Sequence, residues 1–310
     1  MSILKLKPAC KDYPWGGQRL KEEYNVQYSG DILAECWELS CHPDGPSTIE
    51  NGQYAGLTLQ QYLDRVGPRA LGSNCQIFNQ FPILIKFIDA KQNLSIQVHP
   101  NNMDAMEAEH QYGKTEAWYI LDAKPGAFLY LGFEREITKG EVRKHIEENT
   151  LTDVLHKVPV RKGELYYIPA GTVHAICKDI LIAEIQQSSN ITYRVYDYGR
   201  RGIDGKTRPL HIEQALRVMK LQPARFDYNF GGHLARSAYF TVDLLHSGDR
   251  CCCDEESFTS LLILDGEGRI RCGEETMDVR KGDSLFIPAD SGECMLSGSI
   301  QALCTRVGTV

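Results

Sequence analysis

The amino-acid sequence predicts a mainly β protein, a jelly roll or barrel with a small helical piece inserted. Most of the 310-residue chain consists of short segments rich in β-branched and aromatic residues, separated by Gly, Pro and Asp turns. Examples of these predicted strands are residues 82–90, 116–121, 164–169 and 257–264. Many strands with few helices are typical of jelly rolls and barrels.

Helix patterns are confined to a few segments. Thr58 is placed to cap a helix that continues to residue 66, and Thr138 with Glu141 fits a capping box. After that box, Val142 and Ile146 share one helix face. The two other helix candidates are residues 101–110 and 210–220.

The composition excludes several classes of protein. Apolar residues make up 42% of the chain and charged residues 24%, which predicts a globular protein with a packed core. The net charge of −7 argues against nucleic-acid binding, which requires a basic surface. No apolar run approaches the roughly 20 residues that span a bilayer. No membrane association is therefore expected.

Cysteine usage and the N-terminus predict a cytoplasmic protein. The first eleven residues contain no apolar stretch that could serve as a signal peptide. The eleven cysteines are odd in number, three of them adjoin at residues 251–253, and no C-x-x-C pair occurs. This pattern argues against a structural zinc knuckle and predicts reduced thiols.

An internal repeat supports the β prediction. Residues 161–174 read R-K-G-E-L-Y-Y-I-P-A-G-T-V-H, and residues 280–293 read R-K-G-D-S-L-F-I-P-A-D-S-G-E. The shared spacing indicates two copies of one β unit. Gly171 corresponds to Asp290 and His174 to Glu293, so the second copy is expected to be a structural or lid module without a metal site.

The first copy resembles the second sequence motif of the cupin superfamily, through Gly163, Pro169, Gly171 and His174. Cupins are small jelly-roll barrels in which this histidine points inward and binds metal. The resemblance implies two cupin-type jelly-roll β-barrels. We expect a catalytic domain over residues 1–230, with a helical insertion around 135–157, and a degenerate C-terminal domain over 231–310.

The segment S-I-Q-V-H-P-N-N (95–102) contains the first candidate metal ligands. Gln97 and His99 project from the same face of a strand, as in a metal site but also as at an ordinary polar edge. Cupin sites typically add a downstream carboxylate and the histidine of the second motif. Glu116 and His174 match these positions. Together the four residues predict one Zn²⁺ per chain, with Fe²⁺ as the main alternative.

Other residues are expected beside the metal. Lys114 lies two residues before Glu116 and shares its face, as a proton carrier, a substrate anchor or a solvated lysine. Glu184 and Arg194 lie on two further strands. A core-facing arginine requires a carboxylate or an anionic ligand, so Arg194 is either in a structural ion pair or part of a binding site.

Several longer motifs resemble one cupin family, the type I mannose-6-phosphate isomerases. The similarity extends over roughly the first 220 residues, and the chain length suits the shorter bacterial members. The matching segments are Y-P-W-G-G (13–17), W-E-L-S-C-H-P (37–43), S-I-Q-V-H-P-N (95–101), G-K-T-E-A-W-Y (113–119), P-A-G-T-V-H-A (169–175) and E-I-Q-Q-S-S-N-I-T-Y-R-V-Y-D (184–197).

This resemblance implies zinc-dependent interconversion of D-mannose 6-phosphate and D-fructose 6-phosphate through a cis-enediol. It implies that Arg194, Lys114 and Glu184 are catalytic and that Ser95, Lys114 and Arg194 bind the sugar phosphate. The base is left open between Lys114, Glu184 and a metal-bound water, and the oligomeric state is also left open. The alternatives are a non-catalytic phosphosugar-binding bicupin, an isomerase of a related sugar phosphate and an iron-dependent cupin oxygenase.

Overall fold

The computed structural model describes residues 2–201 and 205–308 and divides the chain into two compact units. The first unit combines the chain up to Ile88, the segment Ala183–Ser188 and the chain from Asn229 onward. The second unit consists of Asp89–Ile182 and Ser189–Tyr228. The predicted division into domains over residues 1–230 and 231–310 stays a prediction.

Strands dominate both units, and the predicted mainly β fold class is confirmed. In chain order the strands are β1 (Leu4–Lys7), β2 (Ala9–Lys11), β3 (Glu35–Leu39), β4 (Thr48–Ile49), β5 (Ile83–Ala90), β6 (Ile96–Val98), β7 (Glu116–Ala123), β8 (Phe128–Phe133), β9 (Leu155–Pro159), β10 (Leu165–Ile168), β11 (His174–Ile176), β12 (Ile180–Gln187), β13 (Tyr193–Tyr196), β14 (Ala235–Arg236), β15 (Thr241–His246), β16 (Arg250–Cys253), β17 (Thr259–Cys272), β18 (Glu275–Arg280), β19 (Ser284–Ile287) and β20 (Gly292–Arg306).

The helices are short, and three of them begin at capping residues that the sequence indicates. Thr58 and Thr138 each form a complete capping box, with Gln61 and Glu141 respectively, and Asn101 caps the helix that follows it. The helices are α1 (Arg19–Tyr24), α2 (Leu59–Val66), α3 (Asn102–Glu109), α4 (Lys139–Glu147) and α5 (Ile212–Val218). Short 3-10 turns lie at Gly52–Tyr54, Pro68–Ala70, Ser73–Ile77 and Leu151–Asp153.

The first unit is built on a nine-stranded sheet. Its main path runs β14-β15-β20-β17-β19-β1-β4, with β16 paired to β20 and β18 paired to β17. A smaller antiparallel set joins β2, β3 and β5. Apolar side chains of the large sheet form a core around Ile263, Ile270, Leu285 and Leu296. The long strands β17 and β20 therefore lie side by side in the middle of this sheet.

The second unit contains a five-stranded sheet in the order β13-β6-β11-β8-β9 and the antiparallel pair β7–β10. One face of the five-stranded sheet packs on α4 and α5, because Val142, Ile146, Ala215 and Leu216 share a core with strand residues such as Ile96. The helical segment predicted around 135–157 is thus α4 with the turn at Leu151–Asp153.

The two copies of the sequence repeat have the same backbone. β10 and β19 occupy corresponding positions, and Gly163 (φ 90°) and Gly282 (φ 92°) both turn in the left-handed region before them. Further on, Gly171 (φ 86°) corresponds to Asp290 (φ 61°). The second copy thus keeps a left-handed backbone conformation at this position. Glycine adopts this conformation at the lowest cost, and aspartate tolerates it better than most other residues.

The prediction of reduced thiols is wrong for one pair of cysteines. Cys272 and Cys294 face each other on β17 and β20 and form a disulfide. The sequence could not predict this pair, because 22 residues separate the two cysteines and only strand pairing brings them together. Among the described residues, no helix is long and apolar enough to cross a membrane.

We predict that Thr138→Ala destabilises the second unit by about 0.5–2 kcal/mol, the usual cost of removing an N-cap side chain. The Thr138 hydroxyl accepts a hydrogen bond from the Glu141 backbone N–H at 3.2 Å. The urea midpoint should fall relative to wild type. Lys139→Ala, at the exposed next position, is the matched control, and equal midpoints for the two variants would contradict the capping role.

Candidate metal centre

The candidate ligands come from one face of the five-stranded sheet. On β6, Ile96 and Val98 point into the core shared with the helices, so Gln97 between them points to the opposite face. Antiparallel pairing places His174 of β11 directly opposite Gln97 on one side, and Arg194 of β13 opposite it on the other. Directly opposed side chains lie on the same face. Strand alternation therefore aligns these three residues.

His99, Glu116 and His174 form a buried group in the second unit. Each side chain is 1% exposed, and their ligand atoms lie within 4.8 Å of one another. The Nε2 atom of His99 is 3.4 Å from Glu116 Oε1, and that of His174 is 3.7 Å from Glu116 Oε2. The structure thus brings three of the four predicted ligands together, and their binding of a metal stays a prediction.

Backbone carbonyls determine the tautomer of both histidines. Nδ1 of His99 lies 2.8 Å from the carbonyl oxygen of Ile191, and Nδ1 of His174 lies 2.8 Å from that of Thr172. A carbonyl oxygen only accepts hydrogen bonds, so each Nδ1 must carry the proton. Each Nε2 then presents a lone pair, the form in which histidine binds a metal, and Lys114 Nζ lies 3.5 Å from the Nε2 of His99.

The charges of the group suit a divalent cation. Burial, and next to it the charge of Lys114, lower the pKa of His99 to about 3, and burial lowers the pKa of His174. Burial raises the pKa of Glu116, but Lys114 and the two histidines oppose it and bring that pKa well below its ordinary value. At neutral pH the group therefore contains two neutral imidazoles and one carboxylate.

The buried atoms of this group fit a metal ion. Among the described residues, Glu116 Oε2 and His174 Nε2 are buried without a hydrogen-bond partner. Unpaired buried polar atoms are costly, and a cation placed among them would remove that cost. Two imidazole nitrogens and a carboxylate oxygen are donors that zinc accepts readily.

The loops around the group fix its backbone. The Gly171 N–H donates to the carbonyl of His99 at 2.8 Å, and a side chain at Gly171 would collide with the Val218 carbonyl. The Lys114 N–H donates to the carbonyl of Pro100 at 3.0 Å. Gly113 lies so close to the 100–102 turn that a Cβ would overlap its backbone. The two glycines thus allow the loops to approach the ligands.

The other predicted site residues are found in different surroundings. Lys114 is buried, with Nζ 2.5 Å from Glu116 Oε1, and Ser95 is buried just before β6. Gln97 is half-buried. Glu184 belongs to the first unit, where its Oε1 is 3.4 Å from the Nζ of Lys86.

An arginine cluster, which we define as Arg194, Arg200 and Arg208, surrounds Asp197 in the second unit. Arg208 makes a two-pronged ion pair with Asp197 at 2.6 and 2.7 Å, and Arg200 Nη2 is 3.5 Å from the same carboxylate. Burial, and after it the charge of Arg208, lower the pKa of Arg194. Three guanidinium groups with one carboxylate leave an excess of positive charge.

Two N–H groups of the arginine cluster can each donate a further hydrogen bond. Arg194 Nε and Arg200 Nη1 are buried without a hydrogen-bond partner among the described residues. Arg194 Nη1 donates to the carbonyl of Pro209 at 3.0 Å, so the guanidinium is only partly satisfied. An anion with several acceptor oxygens would satisfy both arginines.

Sequence reasoning missed several residues that support these side chains. His211 makes two hydrogen bonds with the backbone of Arg194. Its ring Nδ1 accepts from the Arg194 backbone N–H at 3.1 Å, and its backbone N–H donates to the Arg194 carbonyl at 2.8 Å. In the sequence, Lys86 is only part of a predicted strand. Arg200 lies three residues beyond the matching segment 184–197, and no local pattern indicates that it joins Arg194 and Arg208.

Family models match both ends of the chain. Residues 3–126 match the model described as phosphomannose isomerase type I, catalytic domain. Residues 232–307 match the model described as mannose-6-phosphate isomerase, cupin domain. The cupin resemblance inferred from the sequence is thereby confirmed.

Whole-length relatives agree with these matches. The mannose-6-phosphate isomerase of Streptococcus mutans is 37% identical over 302 residues, which cover 94% of each protein. ManA of Bacillus subtilis, also a mannose-6-phosphate isomerase, is 35% identical over 98% of each protein. The crystal structure of the mannose 6-phosphate isomerase from Bacillus subtilis superposes with a TM-score of 0.90 at 32% identity, covering 98% of this chain and 99% of that one. The chain is therefore an enzyme that belongs to the type I mannose-6-phosphate isomerase family.

Proposed function

We propose that this enzyme interconverts D-mannose 6-phosphate and D-fructose 6-phosphate with one zinc ion held by Gln97, His99, Glu116 and His174. The observation that carries the proposal is the buried His99–Glu116–His174 group, in which backbone carbonyls accept from both Nδ1–H groups and leave a lone pair on each Nε2. Gln97 joins it because β6 pairs with β11 at His174. Family membership supports the substrate, since the curated relatives carry the name mannose-6-phosphate isomerase.

Zinc held by these residues would supply a Lewis acid for the sugar oxygens. The reaction moves one proton between C2 and C1 through a cis-enediol, so the protein must accept and return a proton. Lys114, whose Nζ is 2.5 Å from Glu116 Oε1, lies beside the metal group and can donate a hydrogen bond to a substrate oxygen.

The remaining roles are assigned from charge and from the resemblance. Glu184, which forms an ion pair with Lys86, is a catalytic residue by resemblance alone, and the base stays open between Lys114, Glu184 and a metal-bound water. Arg194 and Arg200 bind the phosphate through their unpaired guanidinium nitrogens. Ser95 is a secondary phosphate contact, also by resemblance.

The first test is turnover of mannose 6-phosphate by the purified enzyme before chelation, after chelation and after addition of Zn²⁺. We expect activity to be lost on chelation and regained with zinc, because a metal-free site cannot stabilise the enediolate charge. Restoration by Fe²⁺ with oxygen consumption would favour the oxygenase alternative. Stoichiometric zinc without turnover would exclude the mannose assignment and leave a phosphosugar-binding protein or an isomerase of another sugar.

We predict that His99→Ala weakens zinc binding by about 100-fold or more, since even partners of metal ligands change affinity 10–100-fold. Zinc content after gel filtration and a competition titration measure the loss. His156→Ala is the control, because His156 packs on Phe226 outside the metal group. Unchanged zinc affinity in the His99→Ala enzyme would refute the ligand assignment.

We predict that Arg200→Ala raises the KM for mannose 6-phosphate by roughly 10–100-fold, the effect of losing a charged hydrogen bond of about 1.5–3 kcal/mol. Zinc content should not change. Arg201→Ala is the matched control, since Arg201 is exposed and donates to the carbonyl of Gly205. A KM that rises equally in both variants would remove Arg200 from the phosphate site.

A further inference from the structure

A second group of possible metal ligands lies in the first unit, which the proposed function does not use. Strand pairing places Cys294 of β20 between two other cysteines. Cys251 of β16 is its direct partner on one side, and Cys272 of β17 is its direct partner on the other. Directly opposed residues share a face, so the three sulfurs point into the same interior.

Cys253 completes the group from the next inward position of β16. Its Sγ is 3.5 Å from the Sγ of Cys294, and the sulfurs of Cys251, Cys253 and Cys294 lie within 4.8 Å of one another. Cys272 is bonded to Cys294 through the disulfide. Four sulfurs on three adjacent strands therefore lie close together, and we refer to these residues as the cysteine cluster.

The spacing of the cluster suits a thiophilic cation. Zinc–sulfur bonds of about 2.3 Å in a tetrahedron place neighbouring sulfurs about 3.8 Å apart. The 3.5 Å between the sulfurs of Cys253 and Cys294 is close to this value, and the sulfur of Cys251 lies within 4.8 Å of both. Each of the four side chains is at most 7% exposed and lies in the apolar core. A bound ion would thus be shielded from water and from competing ligands.

Buried cysteines often serve only as small apolar side chains, and the arrangement argues against this reading here. Three of the sulfurs lie within 4.8 Å of one another and a fourth is bonded to one of them, whereas the exposed Cys252 on the same strand points away. Hydrogen bonding to Cys251 and burial raise the pKa of Cys253, so zinc must displace the thiol protons when it binds.

We propose that the reduced chain binds one Zn²⁺ through the four thiolates of the cysteine cluster, as a structural site separate from the histidine-containing centre. A dithiol or phosphine reductant first supplies two electrons, and two protons enter as the Cys272–Cys294 disulfide becomes two thiols. The four thiols then release four protons to solvent as four zinc–sulfur bonds form. The proposal does not depend on the sugar substrate or on turnover.

The test uses the full chain with His99→Ala and His174→Ala, which removes the histidine-containing centre. After reduction with a phosphine, zinc per chain is counted by native mass spectrometry, and the Co²⁺ form is examined for sulfur-to-cobalt charge-transfer absorption. We expect one zinc per chain and the absorption band. Adding Cys251→Ser and Cys253→Ser should abolish both, whereas adding Cys252→Ser should abolish neither.

The unmodified enzyme provides a second measurement that does not depend on any variant folding. Reduced enzyme should bind two zinc ions per chain, and enzyme oxidised to the Cys272–Cys294 disulfide should bind one. Equal zinc counts in the two redox states would overturn the proposal. A reduced His99→Ala/His174→Ala chain that binds no more zinc than the cysteine-substituted chain would overturn it as well.

Discussion

The candidate site depends on one constraint, the two-residue alternation of side chains along three adjacent strands. On β13, β6 and β11, Val195, Ile96 and Ala175 face the helix-covered core, and the residues next to them must face the other way. Because the three strands are in register, Arg194, Gln97 and His174 come side by side. A slip of one residue in any strand would bury its polar side chain in the core. Packing of the core thus positions the ligands.

Backbone groups near the site set its chemistry. The carbonyls of Ile191 and Thr172 accept hydrogen bonds from the Nδ1–H groups of His99 and His174, respectively. The Gly171 N–H donates to the carbonyl of His99. The second copy of the repeat keeps the fold of this turn but not its chemistry. There Glu293, at the position of His174, is exposed and pairs with Arg250 at 2.7 Å. The residue at this position is therefore buried in the candidate metal group in one copy and exposed in a surface ion pair in the other.

Much of the candidate site was predictable from the sequence because the evidence was local. The repeat identified His174, the alternation in 95–99 identified Gln97 and His99, and the capping box identified the start of α4. Residues whose role depends on distant partners were missed. Arg208 and His211 act through Asp197 and Arg194, which lie 11 and 17 residues earlier in the chain. No short-range pattern records such contacts.

The sequence by itself determined the mainly β fold class, the starts of α2, α3 and α4, and the residue types of the candidate metal group. Propensity, side-chain period and capping act over a few residues and can be read directly from the chain. Only the tertiary structure decided which nitrogen of each histidine carries the proton, that Cys272 pairs with Cys294, and that Arg200 joins Arg194. These features depend on strand register and loop packing, which bring together residues that are far apart in the chain.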